Sequence, residues 1–389
     1  MKSEPSQPAL RERHFVEWRA RSISDPIDRL RYLQRIAHGG PLIRLRIFSV
    51  QRCVTALLLL LAFLSMKMQT VSDASEELHP ARDVPVRVET PSTPPVPVEV
   101  WKIEEARDHE DYSNGLRVEN RYRAPTHPRA YYAYSPDRPD QPASSICSEP
   151  AGILFHTSES QQAPFEGAYN KALKRIGRGL LEHTRNNQSY HFVIDRFGRV
   201  FRIVPEADVA FHAGSSVWAD QRGAYVDLNE SFLGVSFEAE TRANDDGCYL
   251  SQGQIHSGRL LVQMLLAKYR IPISNCVTHS QVSVNPRTKR IGTHTDGSGN
   301  FPFLELGLTD NYAQPLPSVC VFGFDYDPYF LKQTGSRMWR GLFLAEERVR
   351  QEAAAHQLSI RQYKRNLQEK YLTITAALKS EVAPEEKEQ

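Results

Sequence analysis

From Ala151 onward, short apolar runs alternate with longer stretches of helical spacing, and this alternation restricts the fold more than any other feature of the chain. "GILFH" (152–156) reads as a short buried strand. "FEGAYNKALKRIGRGLLEH" (165–183) has helical spacing despite its glycines. "YHFVIDRFGRVFRIVP" (190–205) is two strand-like runs about a tight "DRFG" turn, a hairpin signature. "FLGVSFEAE" (232–240) alternates strongly and predicts another strand. In "SQGQIHSGRLLVQMLLAKYRIP" (251–272) an apolar stripe of Ile255, Leu260, Leu261, Met264 and Leu265 predicts a helix, with Ser251 as its N-cap. The expectation is an α/β fold, a mixed central sheet flanked by helices, with α+β as the other arrangement these elements allow.

The chain has 389 residues, enough for two average domains or one with long appendages. Its net charge of +2 argues against a nucleic-acid partner, which would call for a concentrated basic surface. Prolines mark the boundaries. The segment containing "DVPVRVETPSTPPVPVEV" cannot build a helix and has little to bury, so it reads as an extended stalk. The polar, Tyr-rich stretch after it ("RAYYAYSPDRPDQP") wraps the domain that follows, which makes 69–146 a stalk and lead-in. At the other end, "RGLFLAEERVRQEAAAHQLSIRQYKRNLQEKYL" is a charged helical tract lying against the domain or a partner, within a C-terminal helical extension over 316–389.

One apolar run, "CVTALLLLLAFLSM" (53–66), is short for a membrane span. With flanking residues that can snorkel, Val50 to Met68 gives nineteen positions, enough to cross. The preceding segment is far longer than a signal-peptide n-region, and no convincing cleavage site follows. Residues 1–52 hold 11 Lys/Arg against 5 Asp/Glu, which by the positive-inside rule keeps 1–49 in the cytoplasm and exports the rest. The reading is a single-pass signal anchor at 50–68, with a cleaved signal second. Export would let Cys147, Cys248, Cys276 and Cys320 form two disulfides in any of three connectivities; free buried thiols are the other reading.

"THSQVSVNPRTKRIGTHTDG" (278–297) places His279, His294 and Asp296 in a stretch of turn formers and cations, where Asn285-Pro286 and Gly292 oppose a helix. Imidazole and carboxylate are zinc-ligand types, and a polar surface loop is the alternative. His156 adds a further candidate where a buried strand opens into "TSES", at a sheet rim.

The ordered set "LFHTSES", "YHFVIDRFGRVFRIVP", "AFHAGSS", "LGVSFEAE", the helix ending "AKYRIP", "THS" and "THTDGSGNFP" resembles the zinc-dependent N-acetylmuramoyl-L-alanine amidases related to phage T7 lysozyme and the peptidoglycan recognition proteins. The resemblance covers roughly 151–310 and implies an amidase domain over 147–315. It implies a Zn²⁺ held by His156, His279 and Asp296, with His294 as the substitute for Asp296. It also implies Tyr190 as the catalytic acid/base, since Ser236 stands where glutamate-type relatives carry glutamate. Strand alternation makes Glu238 the second candidate base. His212 matches a cleft position that touches substrate. Two departures stand out: "VNPRTKRI" lengthens the interval from His279 to Asp296 to seventeen residues, and His294 replaces an oxyanion-stabilising lysine. An imidazolium does that work only while protonated, so its effect should fade as pH rises.

The implied activity is hydrolysis of the bond between N-acetylmuramic acid and L-alanine in peptidoglycan or a muropeptide by a zinc-activated water. The implied location is the bacterial inner membrane, with the catalytic domain outside the cytoplasm. The competing readings are a non-catalytic peptidoglycan-binding module and a membrane-anchored cell-wall scaffold.

Overall fold

In the computed structural model, the described residues are 23, 26–37 and 99–382, without 144, 242–248 and 299. The elements in chain order begin with α1 (Pro26–Ala37), β1 (Lys102–Glu105), β2 (His109–Tyr112), β3 (Arg117–Glu119), β4 (Tyr134–Ser135), β5 (Arg138–Pro142) and β6 (Gly152–Thr157). Next come α2 (Asn170–Asn187), β7 (Phe192–Ile194), β8 (Val200–Arg202), β9 (Val217–Asp220), β10 (Gly223–Val226), α3 (Leu228–Ser231), β11 (Phe232–Phe237) and α4 (Gln252–Tyr269). The last are β12 (Cys276–Thr278), α5 (His279–Val282), β13 (Val284–Asn285), β14 (Arg290–Ile291), α6 (Pro317–Cys320), α7 (Pro328–Ala355) and α8 (Ile360–Val382).

Eight strands form the central sheet in the order β1-β2-β3-β8-β7-β11-β6-β12. Its heart is parallel: β6 pairs with β11 and β12, and β11 with β7, while β7 and β8 form the antiparallel hairpin that "DRFG" predicts. Strands buried on both faces are the rule in such a parallel core, and every residue of β6 and β11 is buried. The sheet is therefore mixed and helix-flanked, as the α/β expectation has it.

The last residue of β11 and the one after it show which helix covers which face. Phe237 lies under α4, where Gly258 leaves space for its ring. Glu238, next along the chain, meets Gly177 of α2 on the other side. Helix α2 buries Leu173, Gly177, Leu181 and Thr184, one stripe at helical spacing. Ser251 caps α4 in a reciprocal box with Gln254, as expected of that serine. On the α4 side, Phe155, Phe237, Phe301 and Phe303 pack ring to ring.

Two sequence expectations change, and one open alternative is decided. The lead-in does not merely wrap the domain: β1–β3 extend the central sheet, β3 pairing in parallel with β8, so a boundary at 146/147 cuts through it. Buried Arg129 fastens the same segment, donating to the carbonyls of Glu206, Asp208 and Glu230. The C-terminal tract is two helices, broken where Gln357 takes φ 55°, and α7 buries Met338, Trp339, Leu342 and Val349. Cys276 and Cys320 are buried free thiols, and Cys248 lies outside the described residues.

The apolar run 50–68 also lies outside the described residues; among those described, no helix is long and apolar enough to cross a membrane. Helix α1, however, packs on α7, burying Leu30 and Leu33 and carrying Arg29 to within 2.8 Å of Glu346. A single crossing between α1 and β1 would hold α1 and α7 on opposite sides of a hydrocarbon core about 30 Å thick. The orientation with 1–49 in the cytoplasm and the remainder exported does not fit this packing.

Candidate metal centre and its surroundings

The carboxyl-terminal edge of the parallel strands gathers the residues singled out above. His156 is the fifth residue of β6, and His279 follows β12 directly as the first residue of α5. Asp296 comes from the loop after β14. The inserted "VNPRTKRI" folds as the small β13–β14 hairpin, which consumes the extra length and returns the chain to the sheet edge. Beyond it, the Gly297 N–H donates to Thr157 Oγ1 and the Ser280 N–H to the Asp296 carbonyl, fixing the loop against β6 and α5.

His156 Nδ1 lies 2.9 Å from Asp296 Oδ2 and His279 Nδ1 lies 2.8 Å from Oδ1. The outer nitrogens decide which protons these rings carry. His279 Nε2 faces the Ala213 carbonyl at 3.2 Å, and a carbonyl only accepts, so Nε2 bears the hydrogen. His212 Nε2 faces the Phe232 carbonyl at 3.2 Å, so by the same logic its Nδ1 is a lone pair. That lone pair sits 3.1 Å from His156 Nε2, which must then donate. In neutral rings both Nδ1 atoms therefore turn lone pairs on a carboxylate. Burial pushes His156 down to about 4 despite its contact with Asp296, so it is neutral at pH 7. Burial would raise Asp296, but the imidazoles of His279 and His156 outweigh it and hold the carboxyl well below the usual range. His156 Nδ1, His279 Nδ1 and an Asp296 carboxylate oxygen, all within 4.8 Å of one another, are a donor set that fits a divalent cation, and the N₂O composition suits zinc.

Tyr190 packs its ring 5.0 Å from that of His156. Burial, reinforced by the Asp296 charge, pushes its phenol up to about 12, so it is a neutral donor at pH 7. His294 is exposed and stacks on His279, ring centroids 4.7 Å apart at 15°, with its N–H on Ser283 Oγ. Partial burial and the neighbouring His279 lower its pKa against the pull of Asp296, which favours a neutral ring over the imidazolium expected from the sequence. Glu238 is brought elsewhere: its carboxylate accepts the Arg196 backbone N–H at 3.0 Å and abuts Gly177. Burial, with the Asp195 charge, pushes it up to about 7.

His212 is buried under His156 and not open to a cleft. Its place in this relay, and the Asn229 side chain that accepts the N–H groups of His212 and Ala213, escaped sequence reading. "AFHAGSS" signals a special turn but says nothing about which way its ring points.

Residues 148–296 match the model of the N-acetylmuramoyl-L-alanine amidase family, and the domain they form belongs to that family. No curated protein matches the chain. Among solved structures it is similar to AmpDh3 of Pseudomonas aeruginosa in complex with anhydromuramic pentapeptide, at 24% identity over 41% of this chain and 58% of that one (TM-score 0.29). It is similar to a selenomethionine derivative of AmpD at 20% identity, over 48% of this chain and 93% of that one (TM-score 0.29). It is also similar to AmiD of E. coli, solved with anhydro-N-acetylmuramic acid-L-Ala-D-γ-Glu-L-Lys, at 16% identity over 62% and 97% (TM-score 0.33). The chain thus spans a little over half the length of AmpDh3.

Proposed function

We propose that the protein is a zinc-dependent N-acetylmuramoyl-L-alanine amidase acting on peptidoglycan or its fragments. The observation that carries this reading is the convergence of His156 Nδ1, His279 Nδ1 and the Asp296 carboxylate at the sheet edge of an amidase-family domain. His156, His279 and Asp296 would hold the zinc. When bound, zinc supplies Lewis acidity to the scissile carbonyl and lowers the pKa of the attacking water.

The remaining work falls to the chain's own side chains. The neutral Tyr190 phenol orients the water and passes a proton towards the departing nitrogen. His294, exposed beside His279, donates an N–H to the carbonyl oxygen as negative charge develops there. The water oxygen bonds to the lactyl carbonyl carbon, the C–N bond breaks, a proton from the water replaces the one Tyr190 gave to the nitrogen, and the products are the lactyl carboxylic acid and L-alanine with a free amine.

On a polymer substrate the domain would work outside the inner membrane, with residues 50–68 as its attachment. The packing of α1 on α7 then requires 26–37 to lie on that same outer side. Metal analysis of the purified full chain, with muropeptide digestion and mass identification of products, tests the reading. About one zinc per chain and a free L-alanine amine terminus are expected. Tight binding of muropeptide without cleavage or zinc would establish the non-catalytic module in its place.

A further inference from the structure

We propose that His212 is a positioning residue for the metal centre: it fixes the tautomer and orientation of His156 from behind. The inference rests on the zinc reading above and goes beyond the ligand set. Phe232, His212 and His156 form a one-way relay. The Phe232 carbonyl can only accept, so His212 Nε2 donates, His212 Nδ1 accepts, and His156 must donate through Nε2. The nitrogen left with a lone pair is Nδ1, the one that faces Asp296. Without His212, nothing in this relay favours that tautomer over the reverse one.

The surroundings are built for the His212 ring. Gly234, on β11 two residues past Phe232, leaves it room: a Cβ there would come within 2.6 Å of His212 Cγ. Asn229 Oδ1 accepts the backbone N–H groups of His212 at 2.8 Å and Ala213 at 2.7 Å, and the Ala213 carbonyl in turn faces His279 Nε2. One short loop therefore orients both histidine ligands, one through a side chain and one through a carbonyl. With His212 only 8% exposed, this role leaves little of the ring for substrate.

The experiment is zinc affinity of the full chain, by competition with a chromogenic chelator, with the thermal midpoint of the metal-free protein as the check on folding. His212→Leu, which keeps bulk and removes the acceptor, is expected to weaken zinc binding 10- to 100-fold at an unchanged metal-free midpoint. His212→Asn returns an acceptor near the Nδ1 position and should recover most of the loss. Gly234→Ala, which displaces the ring without removing it, should weaken zinc at least about tenfold and serves alone if His212→Leu does not fold. Parent-like affinity in His212→Leu or in Gly234→Ala overturns the positioning role. A parent protein that binds no zinc overturns the zinc reading, and this inference with it.

Discussion

Asp296 divides its carboxylate between two imidazoles, Oδ2 against His156 Nδ1 and Oδ1 against His279 Nδ1, and in the neutral tautomers that the outer partners dictate neither contact has a proton of its own. A cation between them resolves that conflict. Asp296→Ala, His156→Ala and His279→Ala should each lower zinc content from about one per chain to near zero. The affinity loss should exceed the roughly 10- to 100-fold usual for an outer partner. Full zinc occupancy in Asp296→Ala would move the third ligand to another residue, His294 first.

Glu238 makes stability depend on pH in an unusual direction for a carboxylate. Burial pushes its folded pKa up to about 7, above the ordinary value of 4.5, so the folded protein holds a proton that the unfolded chain releases. Its contribution is fully present below about pH 4.5 and is lost as pH rises through 7. At about 1.4 kcal/mol per pKa unit, the full swing is on the order of 3–4 kcal/mol. Glu238→Gln should flatten the dependence and, at pH 8, unfold at higher denaturant than the parent. An equal gain at pH 5 and pH 8 would trace the effect to packing instead of titration.

Arg129 tests whether the lead-in belongs to the amidase-family domain. It is 2% exposed, and its guanidinium serves three carbonyls and His191. Arg129→Met strands those acceptors, at about 1–3 kcal/mol for each that water cannot reach. A loss of about 3 kcal/mol in urea unfolding is expected, against no more than about 0.5 kcal/mol for Arg138→Ala on exposed β5. Equal effects would detach the lead-in from the folded unit.

What the sequence disclosed follows from how local each signal is. Strands β6, β7, β8 and β11 and helices α2 and α4 were legible because periodicity and caps are properties of contiguous residues. His156, His279 and Asp296 were legible as a set only through the order of motifs, since their contact spans 140 residues of chain. The joining of β1–β3 to β8 left no such mark: "KIEE" and "RVE" are short, mostly polar strands with almost nothing apolar to reveal them. The docking of α1 was equally hidden, because its anchor is the buried Arg29–Glu346–Lys364 cluster, whose members lie over 300 residues apart at the extreme.

That cluster yields a topological prediction. Glu346 is fully buried and receives Arg29 at 2.8 Å and Lys364 at 2.9 Å, so α1 and α8 share one anion on α7. With the native cysteines replaced by serine, Arg31→Cys on α1 and Leu372→Cys on α8 should react alike with a membrane-impermeant maleimide on spheroplasts. Labelling of Leu372→Cys with protection of Arg31→Cys until lysis would restore the single crossing.

Tyr190 separates chemistry from metal binding most cleanly. Its ring packs beside the cluster of Leu181, Val193, Phe201 and Ile203, whereas its hydroxyl is the part that matters for proton transfer. Tyr190→Phe keeps the packing and removes the hydroxyl, so zinc affinity and thermal midpoint should match the parent. The kcat for muropeptide hydrolysis should fall roughly 10²- to 10⁴-fold, the usual yield of one positioned acid/base group. His294→Ala should also retain zinc and lose roughly 10²-fold, as for a single oxyanion donor. If the two groups serve one transition state, the double variant should lose less than the product of the single losses. Parent-like kcat in Tyr190→Phe, at full zinc occupancy, would remove the phenol from the mechanism.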